Sequence, residues 1–468
     1  MPALRAVRLM NPNRIQGASG AFLTPFGSVA LVAAAFALFG CKAGSQSAEH
    51  SGDGAVDEAA AEFTRVTVAH SIPGAQFPTV ATDARSGSVY VAYIATEGTG
   101  TRQLTNVYLV ARHDGETWST PVRVNSDPGE ADAQAQAPAQ VEVAPNGTVI
   151  VVWTNAIPVE GRRYDASNLF MSRSTDGGRT FAPQRTINTD ANGMPAGHTF
   201  HDVVISSDGT IFVSWLDSRA RHAAEAEVTA ESDVVPRHMH HGMAANDSAM
   251  PGTEVRVARS LNGGVTFSEG VVAAVDVCPC CRTSLATASD GSLYVGWRHI
   301  FENGRDPAMA WSTDDGLTFS APVRIHSDAW AIDGCPHTGP SLAFDPAGRL
   351  HVAWYTGTPT APGLYYGTTE DGRAIDGAEP LITGVGVSQA QVVTSSDGTW
   401  IAWENQRNGS VHVSTKHSAE SFTDLFVVDD SRLPAIATVR DGVIVVTQSR
   451  IGVDISEIRR DRGDVATR

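Results

Sequence analysis

Apolar and polar positions along the chain fall into a phrase that recurs seven times. Each copy is a short apolar strand led by proline or a polar residue, a glycine turn, and a second apolar strand that usually ends in tryptophan. The copies run from Pro78 to Tyr93, Pro138 to Trp153, His201 to Trp215, Thr283 to Trp297, Pro340 to Trp354 and Ala390 to Trp403, with a weaker one from Pro434 to Thr447. Asn146-Gly147, Asp208-Gly209, Asp290-Gly291, Asp397-Gly398 and Asp441-Gly442 separate the paired runs. Such dipeptides accept positive φ, and between two apolar runs they predict β-hairpins. A second phrase of eight residues follows at variable distance, as Ser174 to Phe181, Ser260 to Phe267 and Ser312 to Phe319, with degenerate copies at Ala111 to Trp118 and Thr368 to Ile375. Self-similarity at this period predicts a repeat architecture.

The eight-residue phrase, written Ser-Thr-Asp-Gly-Gly-Arg-Thr-Phe in its first copy, resembles the Asp-box of the sialidase superfamily, also called the BNR repeat. Asp176, Asn262 and Asp314 stand at the position that caps a tight turn, glycine supplies positive φ, and the aromatic packs between repeats. The resemblance covers nearly all of residues 63 to 460. It implies an all-β fold, a β-propeller whose four-stranded blades carry the Asp-box between their third and fourth strands. Counting strand pairs gives seven blades, with the six-bladed sialidase-like ring as the alternative. The last repeat has a third strand near Val453 to Ile458 and no evident fourth; Phe63 to His70 is expected to supply it and close the ring.

Composition narrows the setting. The chain has 468 residues, 42% hydrophobic and 18% charged, with 44 glycines and 24 prolines, which fits a turn-rich globular β protein. Lys+Arg number 34 against 51 Asp+Glu, a net charge of -17, and no basic run exists. Nucleic acid is therefore not an expected partner, and membrane contact is expected through a lipid anchor alone. Arg5, Arg8 and Arg14 precede an apolar stretch from Ser28 to Phe39 that ends in Leu38-Phe39-Gly40-Cys41. A basic leader, a short apolar run and a small residue form the secretory pattern. The last four residues resemble a bacterial lipobox, whose cysteine is acylated. The expected organisation is a lipoprotein signal peptide over 1–40, a flexible tether over 41–62 and a β-propeller over 63–468, with Cys41 lipidated. A plain signal peptide or an uncleaved anchor is the alternative. Lys42 resembles the pattern of outer-membrane sorting, so the expected location is the periplasmic face of the outer membrane or the cell surface.

In a propeller, loops entering the innermost strands and loops leaving the second strands meet on one face, around the channel mouth. His198, His201 and Asp202, then Cys278, Cys280, Cys281 and Arg282, then Asp333, Cys335 and His337 precede or open first strands. Asp217, Arg219, Arg298, His299, Tyr355, Glu404 and Arg407 follow second strands, and the longest such loop carries His238, Met239, His240, His241 and Met243. This constellation has two readings. Four cysteines in an exported protein are by default two disulfides, with Cys335 the expected partner of Cys280 or Cys281, because adjacent cysteines bridge only with strain. Alternatively the thiolates, imidazoles and thioethers form a metal site suited to copper(I) first and zinc second.

Membership of the sialidase superfamily also implies a test for glycosidase activity. Sialidases begin on an Arg-Ile-Pro motif whose arginine starts a carboxylate-binding triad; here His70-Ser71-Ile72-Pro73 puts Ser71 in that place. The family's nucleophilic tyrosine, its glutamate and its proton donor have weak candidates in Tyr355, Glu404 and Asp217, and an anion clamp in Arg219, Arg298 and Arg407. The leading expectation is an exported propeller whose mouth binds a small ligand, above all a metal such as copper. The alternatives are a glycoside hydrolase acting on a sugar at the same face, and a non-catalytic structural or adhesion propeller. Nucleotide and haem motifs are absent from the sequence.

Overall fold

The computed structural model describes residues 63–460, apart from 101–102, 163, 190–192, 194, 224–251, 303, 333 and 418–420. Its strands form seven four-stranded antiparallel sheets, each a blade. Blade 1 starts with Gln76–Asp83, blade 2 with Gln140–Val143, blade 3 with His198–Ile205 and blade 4 with Ser284–Thr287. Ser341–Phe344, Val387–Ser395 and Arg432–Val439 open blades 5, 6 and 7. The ring has seven blades, not six. Blade 7 takes Gly442–Gln448 and Gly452–Arg460 from the end of the chain and its outermost strand, Phe63–Pro73, from the beginning. Phe63 lies opposite Arg460 and Pro73 opposite Gly452, so the two ends of the described chain close the ring by hydrogen bonding.

The second strands read as unbroken apolar runs because they are covered on both sides: every residue of Val149–Thr154 and of Ile211–Asp217 is buried. Their aromatic ends, Trp153, Trp215, Trp297, Trp354 and Trp403, are almost wholly enclosed. The apolar side chains segregate into clusters that each span two adjacent blades. A blade therefore has no core of its own, and burial of its faces requires both neighbours.

The Asp-box turns lie between third and fourth strands, as the resemblance implies. In blade 2 the third strand Leu169–Ser174 ends on the Ser174 hydroxyl, which donates to Asp176, while Asp176 accepts the amides of Arg179 and Thr180 at 3.1 and 2.9 Å. Asn262 and Asp314 repeat the arrangement in blades 3 and 4. The second glycine of the box has two duties. Gly264 has φ 81°, a conformation that favours glycine, and a Cβ there would lie 2.3 Å from the terminal methyl of Met171 of blade 2, which would have to move aside. Phe181, Phe267 and Phe319 pack into the interblade clusters.

Candidate functional site

The segment that crosses from blade 3 to blade 4 on the mouth face carries three of the cysteines. It is pinned on one side to the end of the second strand of blade 4, Leu293–Phe301: Cys278 N donates to Arg298 O at 2.9 Å, and Ile300 N to Asp276 O at 3.0 Å. On the other side Thr283 donates through its amide and its hydroxyl to Phe200 O, each at 3.0 Å. Between these anchors the Cys278-Pro279-Cys280-Cys281 turn gathers its sulfurs inward. Cys278 Sγ lies 3.7 Å from Cys280 Sγ and 3.6 Å from Cys281 Sγ, and all three thiols are buried. A bonded pair would stand at about 2.05 Å. Among the described residues, this trio brings its ligand atoms within 4.8 Å of one another, and no histidine joins it.

The fourth cysteine arrives on the segment entering blade 5. Arg305, at the start of the third strand of blade 4 (Gly304–Ser312), donates through Nη1 to Cys278 Sγ at 3.5 Å and to Gly334 O at 2.5 Å. It thereby ties the Cys335 segment to the cluster. The exposed Cys335 follows Gly334 on that segment, and His337 Nδ1 sits 3.2 Å from Cys280 O. Close approach of the two segments depends on Gly339, where a Cβ would fall 1.9 Å from Arg282 O. Hydrogen bonds from Cys280 and Cys281, supported by Arg305 and Arg298, hold the Cys278 thiol far below its usual range. Donation to Cys278 pushes Cys280 up, and burial does the same to Cys281. Cys278 is thus the sulfur of the trio that most favours the thiolate, with Cys280 and Cys281 beside it and the Arg305 guanidinium facing it.

The other residues singled out in the sequence are occupied elsewhere. His198, fully buried, has Nδ1 2.6 Å from Ser167 O and Nε2 3.5 Å from Asp217. Asp217 accepts from Trp215 Nε1 at 2.9 Å and from Arg219 Nε at 3.0 Å, with Arg256 at 3.8 Å. His201 faces Val152 O at 3.2 Å, and burial lowers it to about 4, leaving it neutral near pH 7. His299 lies between Trp297 and Phe301, and burial lowers it too. The expected histidine ligands are therefore drawn into separate contacts between and within blades. Arg298 is fully buried and donates to the carbonyls of Thr338, Arg305 and Tyr355 at 3.3, 2.7 and 2.7 Å, with Trp330 stacked 5.0 Å away. Arg407 is exposed beside Gly384 and Gly386, Tyr355 meets Trp330 edge-on, and Glu404 accepts from Leu433 N at 3.0 Å. The three arginines form no common clamp. Cys41, His238, Met239, His240, His241, Met243 and Asp333 lie outside the described residues.

Sequence reasoning passed over Arg305, although third strands also begin at the mouth and an arginine there was a legible signal. It also passed over Glu142. A cavity of about 370 Å³ runs down the channel, lined by first-strand residues that include Glu142 and Asp202 and by Arg282 just before the first strand of blade 4. Burial, and then the charge of Asp202, pushes Glu142 up to about 8; burial raises Asp202 to about 6 against the opposing hydrogen bond from Leu285 N. Arg282 donates to the carbonyls of Gln136 and Ala135, both at 3.3 Å.

Residues 87–326 match the BNR repeat-like domain, a span of more than half the chain. The chain belongs to that family. No curated protein matches this BNR repeat-like chain. Among solved structures it is similar to a PL25 ulvan lyase (12% identity, 84% of this chain and 95% of that one, TM-score 0.49). It is also similar to the Hadza microbial sialidase Hz136 (14%, 85% and 95%, TM-score 0.44) and to the Penicillium chrysogenum α-L-arabinanase (10%, 85% and 98%, TM-score 0.44).

Proposed function

We propose that this propeller is a metal-binding protein whose mouth holds one thiophilic ion, copper(I) first and zinc second, exported and anchored through Cys41. The observation that carries this reading is the spacing of the Cys278, Cys280 and Cys281 sulfurs. Metal–sulfur bonds of about 2.3 Å put tetrahedral ligand sulfurs ~3.8 Å apart and trigonal ones ~4.0 Å apart. The cluster's 3.6 and 3.7 Å separations are close to those edges before any ion enters. Three buried sulfurs beside an arginine guanidinium suit a soft ion. Cys335, on the segment that Arg305 and His337 hold beside the trio, is the candidate fourth ligand.

A glycoside hydrolase at the same face draws less support. Arg298 is spent on three carbonyls and Arg219 on Asp217, so neither is offered to a substrate carboxylate. The deciding experiment is elemental analysis of untagged protein exported with Cys41 replaced, followed by anaerobic reconstitution with copper(I) and with zinc(II). Near-stoichiometric metal, lost in Cys278→Ser/Cys281→Ser while the melting temperature of the metal-free protein is kept, is expected. Failure of the intact cluster to take up either ion overturns the reading.

A further inference from the structure

The four thiols differ sharply in access. Cys278, Cys280 and Cys281 are buried, whereas Cys335, on the segment held beside Cys280, is exposed. Cys280 and Cys335 lie on segments that enter different blades, held together by Arg305 Nη1 on Gly334 O at 2.5 Å and by His337 Nδ1 near Cys280 O at 3.2 Å. Cys278 Sγ stands 3.7 Å behind Cys280 Sγ. An exposed thiol, a buried one on the segment held beside it and a second sulfur behind that one are the parts of a thiol–disulfide exchange centre.

We infer that the metal-free mouth exchanges with small disulfides, with Cys335 as the attacking thiol and Cys280 as the resolving one. Deprotonated Cys335 attacks one sulfur of an external disulfide R–S–S–R, forming a Cys335–S–S–R bond and releasing one R–S⁻. Cys280 then attacks the Cys335 sulfur, passing its proton to Cys278, and expels the second R–S⁻. The protein loses two electrons in becoming a Cys280–Cys335 disulfide, the external disulfide gains them and leaves as two thiolates, and the Cys335 proton goes to water while the Cys280 proton stays on Cys278. The product joins the approaches to blades 4 and 5 and leaves Cys278 and Cys281 as a reduced pair. The inference concerns the same four sulfurs as the proposed metal site but does not require that a metal binds. If both hold, oxidation removes two ligands at once and releases the ion.

The test uses the reduced, full-length mature protein in EDTA, mixed with oxidised glutathione and followed by intact mass and peptide mapping. The expected product has lost two hydrogens and yields one cross-linked pair, Cys280 with Cys335. Cys280→Ser is expected to stop at a stable glutathione adduct on Cys335. Cys335→Ser, an exposed change whose folding is checked by an unaltered melting temperature, is expected to slow the reaction at least about tenfold, since the remaining thiols are buried. A Cys278–Cys281 cross-link as the first product, or wild-type rates in Cys335→Ser, overturns the inference. Metal uptake is measured on a separate reduced sample, so exchange without metal binding defeats only the metal reading, and metal binding without exchange defeats only this one.

Discussion

At the Asp-box end of the propeller the capping bonds of each turn are local. Asn262 bonds Ser260, Val265 and Thr266, all within four residues. At the mouth, Arg298 reaches carbonyls 7, 40 and 57 residues away, and Arg305 joins a sulfur 27 residues before it to a carbonyl 29 residues after it. The first end repeats one local solution from blade to blade. The second is a single, non-repeating assembly of blades 3 to 5, in which buried charges and thiols depend on partners that only the closed ring brings near. Local capping at an exposed turn is individually modest and replaceable by water, whereas a buried guanidinium or thiolate has no substitute partner. The mouth is accordingly the costlier end to disturb.

That contrast is open to measurement. The largest stability effect is expected from Arg298→Ala, which leaves three carbonyls at the mouth without their donor and costs about 3 kcal/mol, read from the urea midpoint. Arg298→Lys restores little, because one ammonium cannot span three separated acceptors. Wild-type stability in Arg298→Ala would show that the mouth is as self-sufficient as the Asp-box end. An intermediate effect belongs to the channel. Glu142, held up to about 8 by burial and then by Asp202, stays protonated in the folded protein well above its ordinary 4.5. Its contribution is therefore complete below that ordinary value and is lost as pH rises through about 8. Because the side chain faces an open channel, the loss is expected to be only ~1 kcal/mol between about pH 5 and 8, and Glu142→Gln is expected to flatten the profile. An equally sloped profile in the variant would assign the dependence to other groups. The smallest effect is expected from Asn262→Ala, below about 1 kcal/mol and without change in metal affinity. A larger loss there would mean that the box holds the blade and not merely its turn.

The Asp-box end could be read from the chain because its causes are local. Ser-x-Asp/Asn-x-Gly contains the cap, the acceptor and the positive-φ residue within one turn, and even the degenerate copy keeps Thr369 bonded to Asp371. Seven paired apolar runs gave the blade count, and the missing fourth strand of the last repeat pointed to Phe63–Pro73. The rule that certain loops share a face also put the Cys335 segment on the same side as the Cys278–Cys281 turn, and Arg305 links the two. It misgrouped His198, His201 and His299, since sharing a face does not say which way a side chain turns. Bulges between Thr199 and Asp202 and the packing of adjacent blades send those imidazoles to Asp217, a blade 2 carbonyl and an aromatic pair instead.

The sequence by itself thus determined the all-β repeat, the hairpins and the capped turns, because each follows from dihedral preference and apolar alternation over a few residues. Only the tertiary structure decided which charges and thiols meet. The approach of the Cys335 segment to Cys280, 55 positions apart, rests on Gly339 passing tight against the Arg282 carbonyl and on Arg305 bridging two segments. Those distances are set by ring closure across blades, a constraint that no local stretch of the chain contains.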